Sequence, residues 1–246
     1  MLLRKLTAAI ALAVLGVAAT VAMPAAAHAA APVKNPVVVV AGLSGPAFAY
    51  EPFAARLRAD GFQVSVYQLP GLGFGDIAAS AAALRSYVDG LGYAKVDLVG
   101  HSEGGLVSRY YLRNLGGTAK VGRYVSLGTP QYGTSIASII QALALGDCLG
   151  IPACQQMAVG SSFLTALNAG DDTPGDVRYT TVRTLQDELV RPTGNATLDG
   201  ATNVLIQSSC PLRVVGHLGL ILDGTTYTIV RSALRDEPIR PACFAV

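Results

Sequence analysis

Gly100-His101-Ser102-Glu103-Gly104 frames a serine between two glycines in the pattern G-x-S-x-G. Ala94 to Val99 before it has the composition of a short buried strand, and Leu106 to Leu112 after it can start a helix. A serine on so sharp a strand-to-helix turn sits on strained backbone, and residues without a Cβ leave room around it. The turn lifts the Ser102 hydroxyl above a sheet, and the helix N-terminus points N–H groups at negative charge developing beside it. The chemistry this suits is nucleophilic attack on an acyl carbon.

Such a nucleophile needs a base, and the chain offers three histidines: His28, His101 and His217. His28 lies in an N-terminal segment with the layout of a signal sequence. His101 adjoins the nucleophile on the turn, where its side chain is expected to point away from the hydroxyl. His217 stands in Val215-Gly216-His217-Leu218-Gly219, a glycine-flanked loop far downstream, where the chain order serine, carboxylate, histidine puts the base.

The third member must be a carboxylate between Ser102 and His217 at a strand end, where it can orient the imidazole and stabilise its cation. Candidates are Asp147, Asp171, Asp172, Asp176, Asp187, Glu188 and Asp199. Asp187 is the best placed, because Tyr179 to Val182 reads as a strand and Leu185 to Val190 as the loop leaving its C-terminal end. Glu188 is the nearest rival, whereas Asp171, Asp172 and Asp176 precede that strand and read as a solvated loop. The developing oxyanion needs two backbone donors, the N–H after the nucleophile and one from the loop after the first central strand. Here these are Glu103 and Leu43. A Glu103 carboxylate beside an oxyanion would be costly, so its side chain is expected to point away into a structural hydrogen bond.

These groups must be carried by an alternating scaffold. Pro36 to Val40, Phe62 to Leu69, Ala94 to Val99, Tyr124 to Leu127, Arg178 to Val182 and Asn203 to Ile206 read as strands. Tyr50 to Arg58, Asp76 to Leu91 and Tyr227 to Leu234 read as helices. Alternation of this kind predicts a mostly parallel sheet with helices on both faces. Ile136, Ile139, Ile140 and Leu143 mark one apolar helix face, so 131–172 is a candidate cap or lid. Gly71-Leu72-Gly73-Phe74-Gly75 lacks the spacing of a dinucleotide loop and is expected to be a mobile loop on the pocket rim.

Met1 to Ala29 has Arg4 and Lys5, an apolar run from Leu6 to Ala22 and small residues at Ala27-His28-Ala29, which is the layout of a secretory signal cleaved between 27 and 31. The remainder, 30–246, is expected to be a single secreted domain with no transmembrane segment. Removing Arg4 and Lys5 from the 18 basic residues leaves 16, against 16 acidic ones. A near-neutral chain with no basic stripe and no Trp argues against a nucleic-acid partner. Four cysteines behind a secretory signal read as disulfides. Three pairings are possible; sequence neighbours favour Cys148 with Cys154, leaving Cys210 to tie the chain end at Cys243. The cysteine spacing and few histidines argue against a metal site, and no cofactor is expected.

Gly100 to Gly105, Leu127-Gly128-Thr129-Pro130, Tyr179 to Val182 with Asp187 to Val190, and Val215 to Leu220 together resemble the secreted bacterial triacylglycerol lipases of lipase class 2. The C-terminal part, with Cys210-Pro211, His217 and Tyr227 to Leu234, is also similar to the fungal lipase B type. The resemblance implies an α/β-hydrolase fold, carboxylic-ester hydrolysis without a metal, Ser102, Asp187 and His217 as triad, and a Cys210–Cys243 disulfide. The chain departs from the pattern at Ala41-Gly42, where many relatives have His-Gly, and at Glu103, where Met or Gln is common. The expected protein is a monomeric lipase or esterase acting on a lipid or small ester. The alternatives are an acyltransferase or polyesterase using the same machinery, and a non-catalytic secreted protein of the same fold.

Overall fold

In a computed structural model, the protein is described over residues 34–135, 148 and 150–246. The signal-like segment 1–29 and the apolar face from Ile136 to Leu143 lie outside the described residues.

Six parallel strands form one sheet in the order β2-β1-β3-β4-β5-β6: β1 Val37–Val40, β2 Val64–Tyr67, β3 Val96–His101, β4 Val121–Leu127, β5 Arg178–Arg183 and β6 Thr202–Leu205. Helices α1 (Ala47–Ala59), α2 (Ile77–Gly90) and α3 (Glu103–Asn114) fill the early crossovers. Short helices α4 (Pro152–Gln156), α5 (Ser162–Leu167) and α6 (Ile206–Ser209) follow, and α7 (Gly224–Arg235) closes the chain. Strand ends differ from the sequence reading by a few residues. The run from Phe62 to Leu69 narrows to β2 because Gly61 turns the chain at positive φ before it and Pro70 opens a 3₁₀ turn after it.

Successive β1 residues point to opposite faces, and each face has its own apolar layer. Val38 and Val40 pack with Leu98, Tyr124, Leu84 of α2 and Leu106 of α3. Val37 and Val39 pack with Val99, Val125, Phe53 of α1 and Ile229 of α7. That double coverage explains why β1 is four consecutive valines instead of an alternating strand. Each buried Val, Leu or Phe side chain contributes about 1.5–3 kcal/mol of transfer free energy. The layers thereby fix the C-terminal ends of β1, β3 and β5, from which the loops at Gly42, Ser102 and Asp187 emerge.

The structure pairs Cys148 with Cys154 and Cys210 with Cys243. No helix among the described residues is long and apolar enough to cross a membrane.

Candidate active site

Ser102 joins β3 to α3 with φ 53° and ψ −126°, a conformation sparsely populated by L-residues, and its N–H donates to the Leu127 carbonyl at 2.9 Å. The flanking glycines make the turn possible by contact. A Cβ at Gly100 would lie 2.6 Å from Gly105 Cα, and one at Gly104 would overlap the Val40 and Ala41 carbonyls. Strain at one serine is therefore held by close approach of α3 to β1 and β3.

His217 and Asp187 meet in the interior, each 1 % exposed. Nδ1 lies 2.9 Å from Oδ2 and 3.0 Å from Oδ1, while Oδ1 also accepts the N–H groups of Leu189 (2.9 Å) and Val190 (2.7 Å). Because a carboxylate only accepts, Nδ1 carries a proton, and in the neutral imidazole that leaves the lone pair on Nε2. Nε2 has no partner among the described residues. Glu188, the rival carboxylate, does different work: its Oε2 accepts the His217 backbone N–H at 2.8 Å.

Ser102 and His217 line one cavity of about 490 Å³, together with Leu43, Pro130, Met157, Leu189 and Ile221. Thr134 and Met157 bring the described part of the 131–172 region to its wall. Of the loop after β1, the Gly42, Ser44 and Gly45 N–H groups donate to Tyr50 Oη, the Leu72 carbonyl and the Gly42 carbonyl. Leu43 is left as the N–H of that loop without an acceptor among the described residues. Glu103 is the first residue of α3, where a helix has no internal acceptor for its N–H. A larger, open groove of about 620 Å³ at the N-terminal end of β5, beside Arg178 and Asp236, holds none of these groups.

The family model described as alpha/beta hydrolase fold matches residues 35–150. The chain has the α/β-hydrolase fold. Among solved structures, the chain resembles lipase B of Aspergillus fumigatus with a TM-score of 0.72 at 20 % identity, over 85 % of this chain and 54 % of that one. It also resembles the mature Bacillus licheniformis lipase with a TM-score of 0.61 at 22 % identity, over 82 % and 93 %. In sequence it is 31 % identical over 161 residues to lipase B of Pseudozyma antarctica, covering 62 % of this chain and 46 % of that protein. It is 28 % identical over 154 residues to a triacylglycerol lipase of Pseudarthrobacter phenanthrenivorans, covering 58 % and 48 %. The chain thus spans about half the length of the curated relatives it matches.

Three expectations are corrected. Glu103 makes no structural hydrogen bond: both carboxyl oxygens are buried and unpartnered among the described residues. It is directed at the turn Pro70–Gly73, where a Cβ on Gly73 would stand 2.5 Å from Oε2. The Leu69, Gly71 and Leu72 carbonyls of that turn already accept from Leu72, Phe74 and Ser44. Burial therefore holds the Glu103 acid well above the usual carboxylate range, disfavouring its charged form. Asp172 is not solvated. Only 5 % exposed, it pairs with the buried Arg109 guanidinium at 2.6 Å and accepts from Tyr132 Oη. The Gly71–Gly75 stretch does not line that cavity: Gly73 abuts the Glu103 side chain, and the Leu72 carbonyl accepts from Ser44 in the loop after β1.

Sequence reasoning also missed Tyr50 and undervalued His101. Both are 2 % exposed and line the same cavity as Ser102, with the His101 and His217 ring centroids 4.9 Å apart. The position of His101 inside the elbow motif was a usable signal; Tyr50, within an ordinary helix pattern, carried none.

Proposed function

We propose that this protein is a secreted carboxylic-ester hydrolase, a lipase or esterase, with Ser102, Asp187 and His217 as its catalytic triad. The observation that supports this most directly is a buried imidazole with its proton fixed on Nδ1 by Asp187 and its Nε2 lone pair unclaimed, in an apolar cavity that also holds a serine on a strained elbow. Lipase B and the triacylglycerol lipase among its relatives give the substrate class, and two disulfides are compatible with export.

With an ester in the cavity, Nε2 takes the Ser102 proton as Oγ attacks the carbonyl carbon; hydrogen bonds of this kind tighten only in the complex. Asp187 stabilises the imidazolium, and the Leu43 and Glu103 N–H groups bind the oxyanion. Burial of the Glu103 side chain disfavours an opposing carboxylate charge beside it. The imidazolium then protonates the leaving alcohol, and water repeats the sequence on the acyl-enzyme.

The test is initial-rate hydrolysis of p-nitrophenyl esters from acetate to palmitate, with Ser102→Ala in parallel. Turnover by the wild type and loss of several orders of magnitude in the folded mutant is expected. Retained turnover in Ser102→Ala would refute the assignment.

A further inference from the structure

We infer that Tyr50 and His101 are positioning residues that tie the loop bearing the Leu43 N–H to the loop bearing His217. The inference rests on the hydrolase reading of Ser102 and His217. The observation behind it is a run of three buried hydrogen bonds. Gly42 N–H meets Tyr50 Oη at 2.8 Å, Tyr50 Oη meets His101 Nδ1 at 2.9 Å, and His101 Nε2 meets the His217 carbonyl at 3.2 Å.

Elementary donor and acceptor rules fix every proton in this run. The His217 carbonyl can only accept, so His101 Nε2 carries the ring proton and Nδ1 is the bare nitrogen. The Gly42 N–H can only donate, so Tyr50 Oη accepts from it and spends its own proton on His101 Nδ1. A neutral His101 and a protonated Tyr50 satisfy this pattern without placing a buried charge on either ring. Burial favours both: it pushes the His101 imidazole down to about 3, with His217 nearby acting in the same direction, and the Tyr50 phenol up to about 12.

The topology gives the run its purpose. Gly42 follows β1, His101 ends β3, and His217 lies beyond β6 at the far edge of the sheet. Two loops distant in sequence must hold the oxyanion donor and the base in one geometry around Ser102. His101 stands between them, adjacent to the nucleophile in sequence and bonded to the backbone of the base. Space around the run is closed: a Cβ at Gly42 would lie 2.9 Å from both the His101 carbonyl and Ser102 Cβ, and one at Gly45 would lie 2.7 Å from Tyr50 Oη. Glycine at 45 lets the phenol reach the loop, and glycine at 42 lets the loop approach the Ser102 turn.

The geometry is tested with Tyr50→Phe, His101→Leu, His101→Asn and His101→Gln, with rates expressed per site titrated by an organophosphate so that unfolded protein is not counted. Misplacing a reacting group by about 1 Å costs on the order of 10²-fold, so Tyr50→Phe and His101→Leu are expected to lower kcat about 10- to 100-fold with KM changed less than about 3-fold. A Gln amide reaches the His217 carbonyl and an Asn amide does not, so His101→Gln should retain more kcat than His101→Asn. The Tyr50→Phe/His101→Leu double variant should be little worse than the poorer single one, because both break the same run. Unchanged kcat per titrated site, with only the melting temperature lowered, would overturn the positioning role.

A separate readout needs no turnover. Imidazole ¹⁵N spectra of the wild type should show His101 with Nε2 protonated and Nδ1 bare from about pH 5 to 8, and a proton on His101 Nδ1 would overturn the inference. A wild type that turns over no ester would instead remove the hydrolase reading, leaving the spectrum to decide the connection on its own.

Discussion

Glu188 accepts the His217 backbone N–H at 2.8 Å, one residue after Asp187 takes the side chain of the same histidine. The His217 loop is thus held by two adjacent carboxylates, one on the ring and one on the backbone.

The two contacts should separate in mutants. Asp187→Asn loses the charge that fixes the tautomer and stabilises the imidazolium, and kcat should fall about 10⁴-fold. Glu188→Gln keeps an acceptor for the backbone N–H and should stay within about 10-fold of wild type, whereas Glu188→Ala should lose about 10- to 100-fold, the value of a charge-assisted hydrogen bond. Steady-state kinetics on one soluble ester would check the order. Equal losses in Asp187→Asn and Glu188→Gln would contradict it.

How much of this was legible in the sequence follows from which interactions are local. The strands and long helices declare themselves through apolar runs and 3.6-residue periodicity, while Ser102, Asp187 and His217, proposed here as a triad, are singled out by motif, chain order and elimination. What was missed depends on contacts between elements. Nothing near Asp172 in the chain announces that Arg109, 63 residues away, will be buried against it. Nothing near Glu103 announces that it will face a turn whose carbonyls are engaged. The Tyr50–His101 contact joins residues 51 apart, so its hydrogen-bond accounting exists only after folding.

Arg109 and Asp172 tie α3, the helix after Ser102, to the loop after α5, with the pair 0 % and 4 % exposed at the side chains. Removing one partner of a buried pair leaves the other charge uncompensated, so Asp172→Asn or Arg109→Met should each cost about 3–5 kcal/mol. The Arg109→Met/Asp172→Leu double variant should recover part of that loss. Urea unfolding of the three variants is the check, and strictly additive losses would contradict a coupled pair.

The Cys210–Cys243 bridge closes a loop of sequence separation 33, against 6 for Cys148–Cys154. Restriction of the unfolded chain favours the longer loop, giving about 3.5–4 kcal/mol against about 2 kcal/mol. Cys210→Ala/Cys243→Ala should therefore lower the urea midpoint more than Cys148→Ala/Cys154→Ala. Arg213 keeps the loss finite, since it donates to the Ala245 carbonyl at 2.8 Å and pairs with Asp223, which caps α7. The reverse order would show that packing around the short loop outweighs chain entropy.

Two buried groups flanking the nucleophile should give opposite pH dependences. Burial raises Glu103 well above its ordinary 4.5, so from that pH upward the native state keeps a proton the unfolded chain has released. Stability then falls as pH rises, by about 1.4 kcal/mol per unit until the native pKa is passed. Burial lowers His101 from 6.5 to about 3, so between those values the unfolded chain holds the extra proton and stability rises with pH at the same limiting slope. Between about pH 4.5 and 6.5 the two contributions oppose one another in the wild type. Glu103→Gln removes the falling contribution, so its stability relative to wild type should climb with pH. His101→Gln removes the rising one, so its relative stability should fall. Urea unfolding at pH 4.5, 5.5 and 6.5 measures both differences, and difference curves that stay level would mean that neither group is held in its uncharged form by the fold.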